Sequence, residues 1–325
     1  MHLKHVMNII TFEELQTRVR ELFLEGEYET ALTLAEQEGD RFPEYTHLLY
    51  FWRIALTARS GDIPRALRLL REVLETGFWY SDALLRESAS LRPLQAEPEF
   101  EELLKLNAGM RQKDLRDHMP VLTLRPEGKC QAGGGPCPLL IALHENGETA
   151  REALEFWQPA ASEGWLVAAV QSSQGLWRDA YVWEDRQTAA RDVQKYFDQI
   201  REQYHIDERR VVIAGYGAGG ELALWLALTK TLPAIGFITA GLNRLPVQAP
   251  QELEELNASG LDDSLRGYLI YGQEENETGD TGLEAIGEAL QRAGIPCEVE
   301  AVPLAAAEIP SLYESSILRA LEFVA

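Results

Sequence analysis

Two hydrophobic periods divide this chain. From residue 12 to 107, apolar positions recur at helical spacing. Leu22, Phe23 and Leu24 lead to Gly26-Glu27-Tyr28, and Ala31, Leu32 and Leu34 follow before Pro43 stops the run. Trp52, Ala55 and Leu56 then precede Gly61-Asp62, and Ala66, Leu67, Leu69 and Leu70 form a second run of the same kind. Strand signal is almost absent from this part. From about residue 119 short apolar runs alternate with amphipathic helices. Strands are expected at Val121–Leu124, Pro138–Leu143, Trp165–Val170, Arg210–Ala214, Ala234–Thr239, Tyr268–Tyr271 and Cys297–Val302. Between them Ala189, Val193, Phe197, Ile200 and Tyr204 share one helical face while Arg191, Gln194, Asp198 and Arg201 fall elsewhere, so this helix is expected to pack on a sheet. A last helix is expected from Leu312 to Phe323. The pattern predicts an all-α domain over residues 1–110 and an α/β domain with a mainly parallel sheet over 111–325.

The helical part has an internal period. Aligning Ala31 with Ala66 gives an offset of 35 residues, close to the ~34-residue period of helix-turn-helix arrays. The Gly-x-Tyr turn at Gly26, the small Ala31 and Pro43 resemble the tetratricopeptide repeat. The second copy lacks the aromatic and the closing proline. A third, partial unit is expected from Phe78-Trp79 through LRPLQAEPEFEELL. The resemblance implies a peptide or protein partner on a concave face. So short an array equally suits a rigid cap on the next domain.

Charge narrows the partners. The formal net charge is −22, and residues 245–300 set only Arg266 and Arg292 against thirteen acids. Such a surface repels phosphate backbones and anionic headgroups, so neither nucleic acid nor membrane is expected as a partner. The N-terminal apolar run from Val6 to Ile10 is too short and wrongly flanked for a signal peptide, and no stretch approaches the roughly 20 apolar residues of a membrane span. Three cysteines, Cys130, Cys137 and Cys297, suit a reducing cytoplasm. Cys130 and Cys137 bracket the glycine-rich CQAGGGPC, which can close a disulfide but is read first as an ordinary loop. Neither a metal site nor a cofactor is expected.

The chemistry concentrates at RVVIAGYGAGG, Arg210 to Gly220, an apolar strand entering a tight glycine turn before the helix-forming ELALWLALTK. Three other strings accompany it: IALHENG from Ile141, GWLVAAVQSSQ from Gly164 and LIYGQEEN from Leu269. Together they resemble the α/β-hydrolase superfamily, in its carboxylesterase and phospholipase-like branch, over about 200 residues. The resemblance implies a parallel sheet with flanking helices and a G-x-S-x-G elbow. Here that turn reads Gly215, Tyr216, Gly217, Ala218, Gly219, so the nucleophile position is Gly217, which has no side chain. The turn also spells G-x-G-x-x-G through Gly215, Gly217 and Gly220. The next strand ends in Ile238-Thr239-Ala240-Gly241 without the acid a dinucleotide ribose requires, so no nucleotide cofactor is expected.

By the same resemblance the acid position is Glu275 and the histidine position is Ala307. All six histidines, His2, His5, His47, His118, His144 and His205, precede the elbow. The base must accept the serine proton and return it, so its loss is as damaging as that of the nucleophile. What the resemblance leaves is an oxyanion cradle made of the Ala218 N–H and an N–H within His144, Glu145, Asn146 and Gly147, with Tyr216 beside it. A small carboxylate or ester-like ligand is the expected occupant. The alternatives are a relic turn, or Glu145 filling the hole from inside. For the whole chain three readings stand: a non-catalytic binding or scaffold protein, an esterase or thioesterase with displaced groups such as His144, Ser172, Ser173, Glu145 or Glu274, and an interaction module acting through the helical repeats.

Overall fold

Several helices of the N-terminal part begin or end where a capping side chain or a glycine dictates. The Thr11 hydroxyl accepts the Glu14 N–H at 3.2 Å and the Glu14 carboxylate accepts the Thr11 N–H at 3.2 Å. This reciprocal cap opens α1 (Phe12–Leu24). Past Gly26 the chain enters α2 (Tyr28–Glu38), and two short 3-10 turns around Pro43 precede α3 (Thr46–Ser60). Gly61, at φ +92°, ends α3 in the left-handed conformation that a side chain disfavours. Asp62 then caps α4 (Ile63–Glu75) through the Arg65 N–H at 3.1 Å. The series ends with α5 (Asp82–Glu87) and α6 (Pro98–Asp117), and α6 runs through the expected junction at 110/111.

The computed structural model describes residues 11–117, 121–128, 130, 135–242, 264–272, 283–302 and 310–325. Contacts divide the chain into a unit of Met1–His118 with Gly175–Arg178 and a unit of Met119–Gln174 with Asp179–Ala325. Within the first, Ala31 and Ala66 are both fully buried, each in its own apolar cluster. The Asn107 side chain binds both peptide groups of Tyr80, accepting its N–H at 2.9 Å and donating to its C=O at 2.8 Å. This pairing satisfies buried backbone that has no helix to serve it. The same unit takes in β4 (Gly175–Trp177). There the Ser81 N–H donates to the Leu176 carbonyl at 2.6 Å, and the His47 ring stacks on Trp177 at 4.8 Å.

The second unit is built on a seven-stranded sheet. Its strands are β1 (Leu122–Leu124), β2 (Cys137–Leu143), β3 (Leu166–Val170), β6 (Ile206–Tyr216), β7 (Gly236–Ala240), β8 (Arg266–Gly272) and β9 (Cys297–Val302), in the order β1-β3-β2-β6-β7-β8-β9. Only β1 runs antiparallel to its neighbour. A short β5 (Ala180–Tyr181) lies outside this sheet. β2 and β3 are buried at every position because both faces are covered. From β2, Leu140 and Ala142 join the cluster that includes α7 (Ala150–Phe156), α8 (Pro159–Ser162) and α12 (Pro310–Val324). Leu139, Ile141 and Leu143 point to the opposite face, against α9 (Arg186–Gln203) and α10 (Ala218–Leu228). α11 (Leu283–Arg292) packs against β9. Of the face expected for α9, Ala189, Val193, Phe197 and Ile200 are buried, whereas Tyr204 lies just past the helix end. A mostly parallel sheet with flanking helices fits an α/β-hydrolase fold.

One expectation is corrected. Cys130 and Cys137, read as thiols of an ordinary loop, are joined in a disulfide with their α-carbons 5.3 Å apart. That separation lies in the bridging range, and a cysteine count carries no information about it. Cys297 is free and buried. No helix among the described residues is long and apolar enough to cross a membrane.

Candidate functional site

The parallel register brings the C-terminal ends of β2, β3 and β6 to one edge, and the side chains that follow these ends form the site. β6 passes through Gly215 and Tyr216 into Gly217, which caps α10 at φ +50°, ψ −119°. This conformation is strained for any residue with a side chain. The close turn also requires its flanking glycines. A Cβ on Gly219 would stand 2.5 Å from the carbonyl oxygens of both Leu143 and His144, with no flexible side chain to yield. The strand therefore turns sharply into α10 through Gly215, Gly217 and Gly219, and residue 217 at the head of that turn carries no side chain.

Glu145 occupies the space that a side chain at residue 217 would take. A Cβ on Gly217 would coincide with the Glu145 carboxylate, falling on Oε2 and 3.1 Å from Oε1. Oε2 accepts the Ala218 N–H at 2.9 Å and Oε1 accepts the Asn146 N–H at 2.6 Å. The helix α10 begins at Ala218, so its positive dipole end also faces this anion. Burial raises the Glu145 carboxyl above the ordinary carboxylate range, while the Asn146 and Ala218 N–H groups act in the opposite sense and Glu148 and Glu221 add repulsion. Two charge-assisted bonds offset much of the cost of removing this carboxylate from water.

His144 holds the loop that carries Glu145. It is 1% exposed. Its Nδ1 lies 2.7 Å from the Glu145 carbonyl, an acceptor, so Nδ1 carries the proton. Its Nε2 then accepts the Ser172 N–H at 3.3 Å, with the Gln171 amide nitrogen also at 3.3 Å. The ring stacks on Trp183 at 4.7 Å, and the indole N–H of Trp183 donates to the His144 carbonyl at 2.8 Å. Burial pushes the imidazole down to about 4, against weaker support for the cation from the Glu145 carbonyl and Glu152. At neutral pH the ring is uncharged.

The remaining loop residues are held as firmly. The Glu145 N–H donates to Glu148 Oε2 at 3.2 Å, and the Gly147 N–H donates to the Tyr181 carbonyl at 2.8 Å with Gly147 at φ +87°. The Asn146 side chain accepts the Trp183 N–H at 2.9 Å. Thr149 and Glu152 form the capping box that opens α7. Ser172 Oγ donates to the Val182 carbonyl at 2.7 Å and accepts the Gln174 N–H at 3.0 Å. The Ser173 N–H donates to Asp192 at 2.9 Å. Tyr216 lies 5.4 Å from the Phe156 ring, and its own ring covers Gly241.

Of the residues singled out in the sequence, His144, Glu145, Asn146, Gly147, Gly217 and Ala218 thus meet at one place. Glu275, Ala307 and Glu274 lie outside the described residues. Sequence reasoning did not find Gln171, Glu148 and Trp183 as partners of the loop. Gln171 had a usable signal, since it follows β3 as His144 follows the adjacent β2. Trp183 had none. No group of His, Cys, Asp and Glu that could hold a metal occurs among the described residues.

Comparison with known proteins finds a family model that matches the N-terminal part and a likeness of fold. Residues 11–115 match the family model described as the A/B hydrolase-like, N-terminal domain. None of the curated proteins matches the sequence. Among solved structures, the chain is similar to an uncharacterised protein from Bacillus cereus ATCC 10987, at 21% identity and a TM-score of 0.51, covering 97% of this chain and 99% of that one. Esterase PE8 is similar at 15% identity and a TM-score of 0.47, over 62% of this chain and 99% of that chain. The Bacillus cereus carboxylesterase follows at 13% identity and a TM-score of 0.46, over 65% and 98%. The first of these is a likeness of fold. The N-terminal match and the parallel sheet support the α/β-hydrolase superfamily.

Proposed function

We propose that this chain is a non-catalytic protein of the α/β-hydrolase superfamily, a binding or scaffold protein that keeps the elbow and has replaced its nucleophile with an internal carboxylate. The observation that carries the reading is the Glu145 carboxylate in the space of a residue-217 side chain, hydrogen-bonded to the Ala218 N–H at 2.9 Å. In an acyl-transfer site that N–H must be available for a developing oxyanion. Here it is already bonded. The other groups that could take over catalysis argue the same way. Both ring nitrogens of His144 are engaged inside the protein, and the Ser172 hydroxyl is buried between two backbone partners. The sequence offers no histidine at Ala307.

The helical part then serves as a scaffold or as the surface for a protein or peptide partner, and the elbow offers a place for a small carboxylate or ester-like group. The test is hydrolysis of p-nitrophenyl acetate and an acyl thioester by the wild type and by Gly217→Ser, with fluorophosphonate labelling alongside. Neither protein is expected to turn over substrate above the buffer rate, and neither to label. Wild-type hydrolysis that His144→Ala abolishes would establish instead an esterase with displaced groups.

A further inference from the structure

β9 is the last strand of the sheet, and among the described residues no strand pairs with its outer edge. Its two faces are covered. Cys297 and Val299 pack on the α11 side, where a Cβ on Gly287 would stand 2.5 Å from Val299 Cγ2. Val302 joins the cluster that includes α12, and the Glu300 carboxylate on that side accepts from Tyr268 at 2.7 Å, from Ser316 at 2.8 Å and from Arg319. The register fixes which peptide groups point outward. The Gly267 N–H donates to the Pro296 carbonyl at 2.9 Å and Gly267 pairs with Cys297, so Glu298, Glu300 and Val302 turn their peptide groups toward β8. Cys297, Val299 and Ala301 turn theirs to the edge, and the Gln291 amide accordingly donates to the Cys297 carbonyl at 2.7 Å. Among the described residues Val299 and Ala301 thus present ladder donors and acceptors with no strand to take them.

Charge decides what can take them. Glu298 and Glu300 lie on one face of β9, and α11 adds Glu284 and Glu288 against Arg292. Antiparallel self-pairing centred on Glu298, Val299 or Glu300 sets two of the strand's glutamates directly opposite each other, which destabilises a pair of like edges. A second copy is thereby disfavoured. β1, at the other end of the sheet, has three residues and offers too short a ladder. We propose that the β9 edge is a docking strand for an extended segment of a partner protein that carries Lys or Arg at every second position. The segment adds a strand beside Val299 and Ala301, its cations stand opposite Glu298 and Glu300, and its intervening apolar side chains extend the face formed by Cys297 and Val299. This surface does not involve the elbow, and the proposal holds whether or not the elbow is catalytic.

The test uses the full chain and a fluorescein-labelled, amidated peptide, Val-Lys-Val-Lys-Val-Lys, at about 0.15 M salt, where unspecific attraction is screened. Fluorescence anisotropy is expected to show saturable binding, about tenfold tighter than for the same peptide with Glu in place of Lys. Hydrogen exchange of the ¹⁵N-labelled wild type locates the contact. The Val299 and Ala301 amides should exchange quickly in the free chain and about tenfold more slowly with the Lys peptide bound. Glu298→Lys is expected to weaken the Lys peptide about tenfold and to improve binding of the Glu peptide. Ala301→Pro removes one outward N–H at an exposed position where an edge strand tolerates proline, and should weaken binding by a similar factor with an unchanged far-UV spectrum. If that variant does not fold, amide protection in the wild type decides alone. A Lys peptide that does not bind, that binds without protecting either amide, or that binds no better than the Glu peptide would each overturn the proposal. A free chain that sediments as a dimer with both amides already protected would assign the edge to a second copy instead.

Discussion

At the scale of residues, Gly217 and Glu145 form a coupled pair, because each occupies what the other leaves. Gly217→Ala places a Cβ on the carboxylate and also forces a side chain into φ +50°. The backbone part alone costs about 1–3 kcal/mol. In a Glu145→Gly background only that part remains. A double-mutant cycle by urea denaturation is therefore expected to show a coupling of about 1–3 kcal/mol, with Gly217→Ala better tolerated once Glu145 is gone. Additive effects would mean that the carboxylate swings clear at no cost. His144 gives a prediction in pH. Its folded value of about 4 lies below the usual imidazole value. Above about pH 6.5 the ring is neutral in both states, and it contributes no dependence. Between there and pH 4 the unfolded chain binds a proton that the native chain refuses. Stability falls as pH falls, by about 3 kcal/mol over that window. Glu145 and Glu148, whose carboxyls burial raises, act in the opposite direction and offset part of the loss. Denaturation at a series of pH values should show a flatter profile for His144→Gln than for the wild type between pH 6.5 and 4.

At the scale of elements, the sheet was legible because apolar runs of five or six residues bounded by turns can hardly be anything else in an alternating pattern. The expected strands Pro138–Leu143, Trp165–Val170 and Cys297–Val302 match β2, β3 and β9 to within a residue at each end. The expected Arg210–Ala214 is the core of a longer β6, Ile206–Tyr216, whose first residues are polar and partly exposed and so carry no hydrophobic signal. β4 and β5 were not foreseen, since strands of three and two residues have no period to read. The tight turn between β6 and α10 was legible from its glycines. The Glu145 contact was legible only as one of several alternatives, because a sequence does not specify which way a loop side chain turns. The same limit hid the Cys130–Cys137 bridge at the entrance to β2. Closing so short a loop restricts the unfolded chain by about 2 kcal/mol in the chain-entropy account. Loss of the bridge in Cys130→Ser/Cys137→Ser should lower stability by that amount. Alkylation of the native wild type should leave the buried Cys297 unmodified until the protein unfolds.

At the scale of the whole molecule, the first unit is discontinuous in sequence, because Gly175–Arg178 belong to it although their chain neighbours belong to the second. In that unit Leu176 accepts from Ser81, Arg178 donates to Trp79, and a Cβ on Gly175 would strike the Trp79 ring. A fragment beginning at residue 119 would carry Leu176 and Trp177 without these partners. Such a fragment is expected to bind a hydrophobic dye and to aggregate at concentrations where the full chain does neither, as light scattering and dye fluorescence would report. A fragment ending at 118 has the reverse fault, leaving Trp79 and Tyr80 with no strand to cover them. The consequence reaches beyond the laboratory. No single recombination point separates the two units cleanly, because a cut at 118/119 strips the first of Gly175–Arg178 and a cut at 178/179 splits the second. Descent should therefore have kept the two halves together as a pair, diverging in step rather than being shuffled as independent modules.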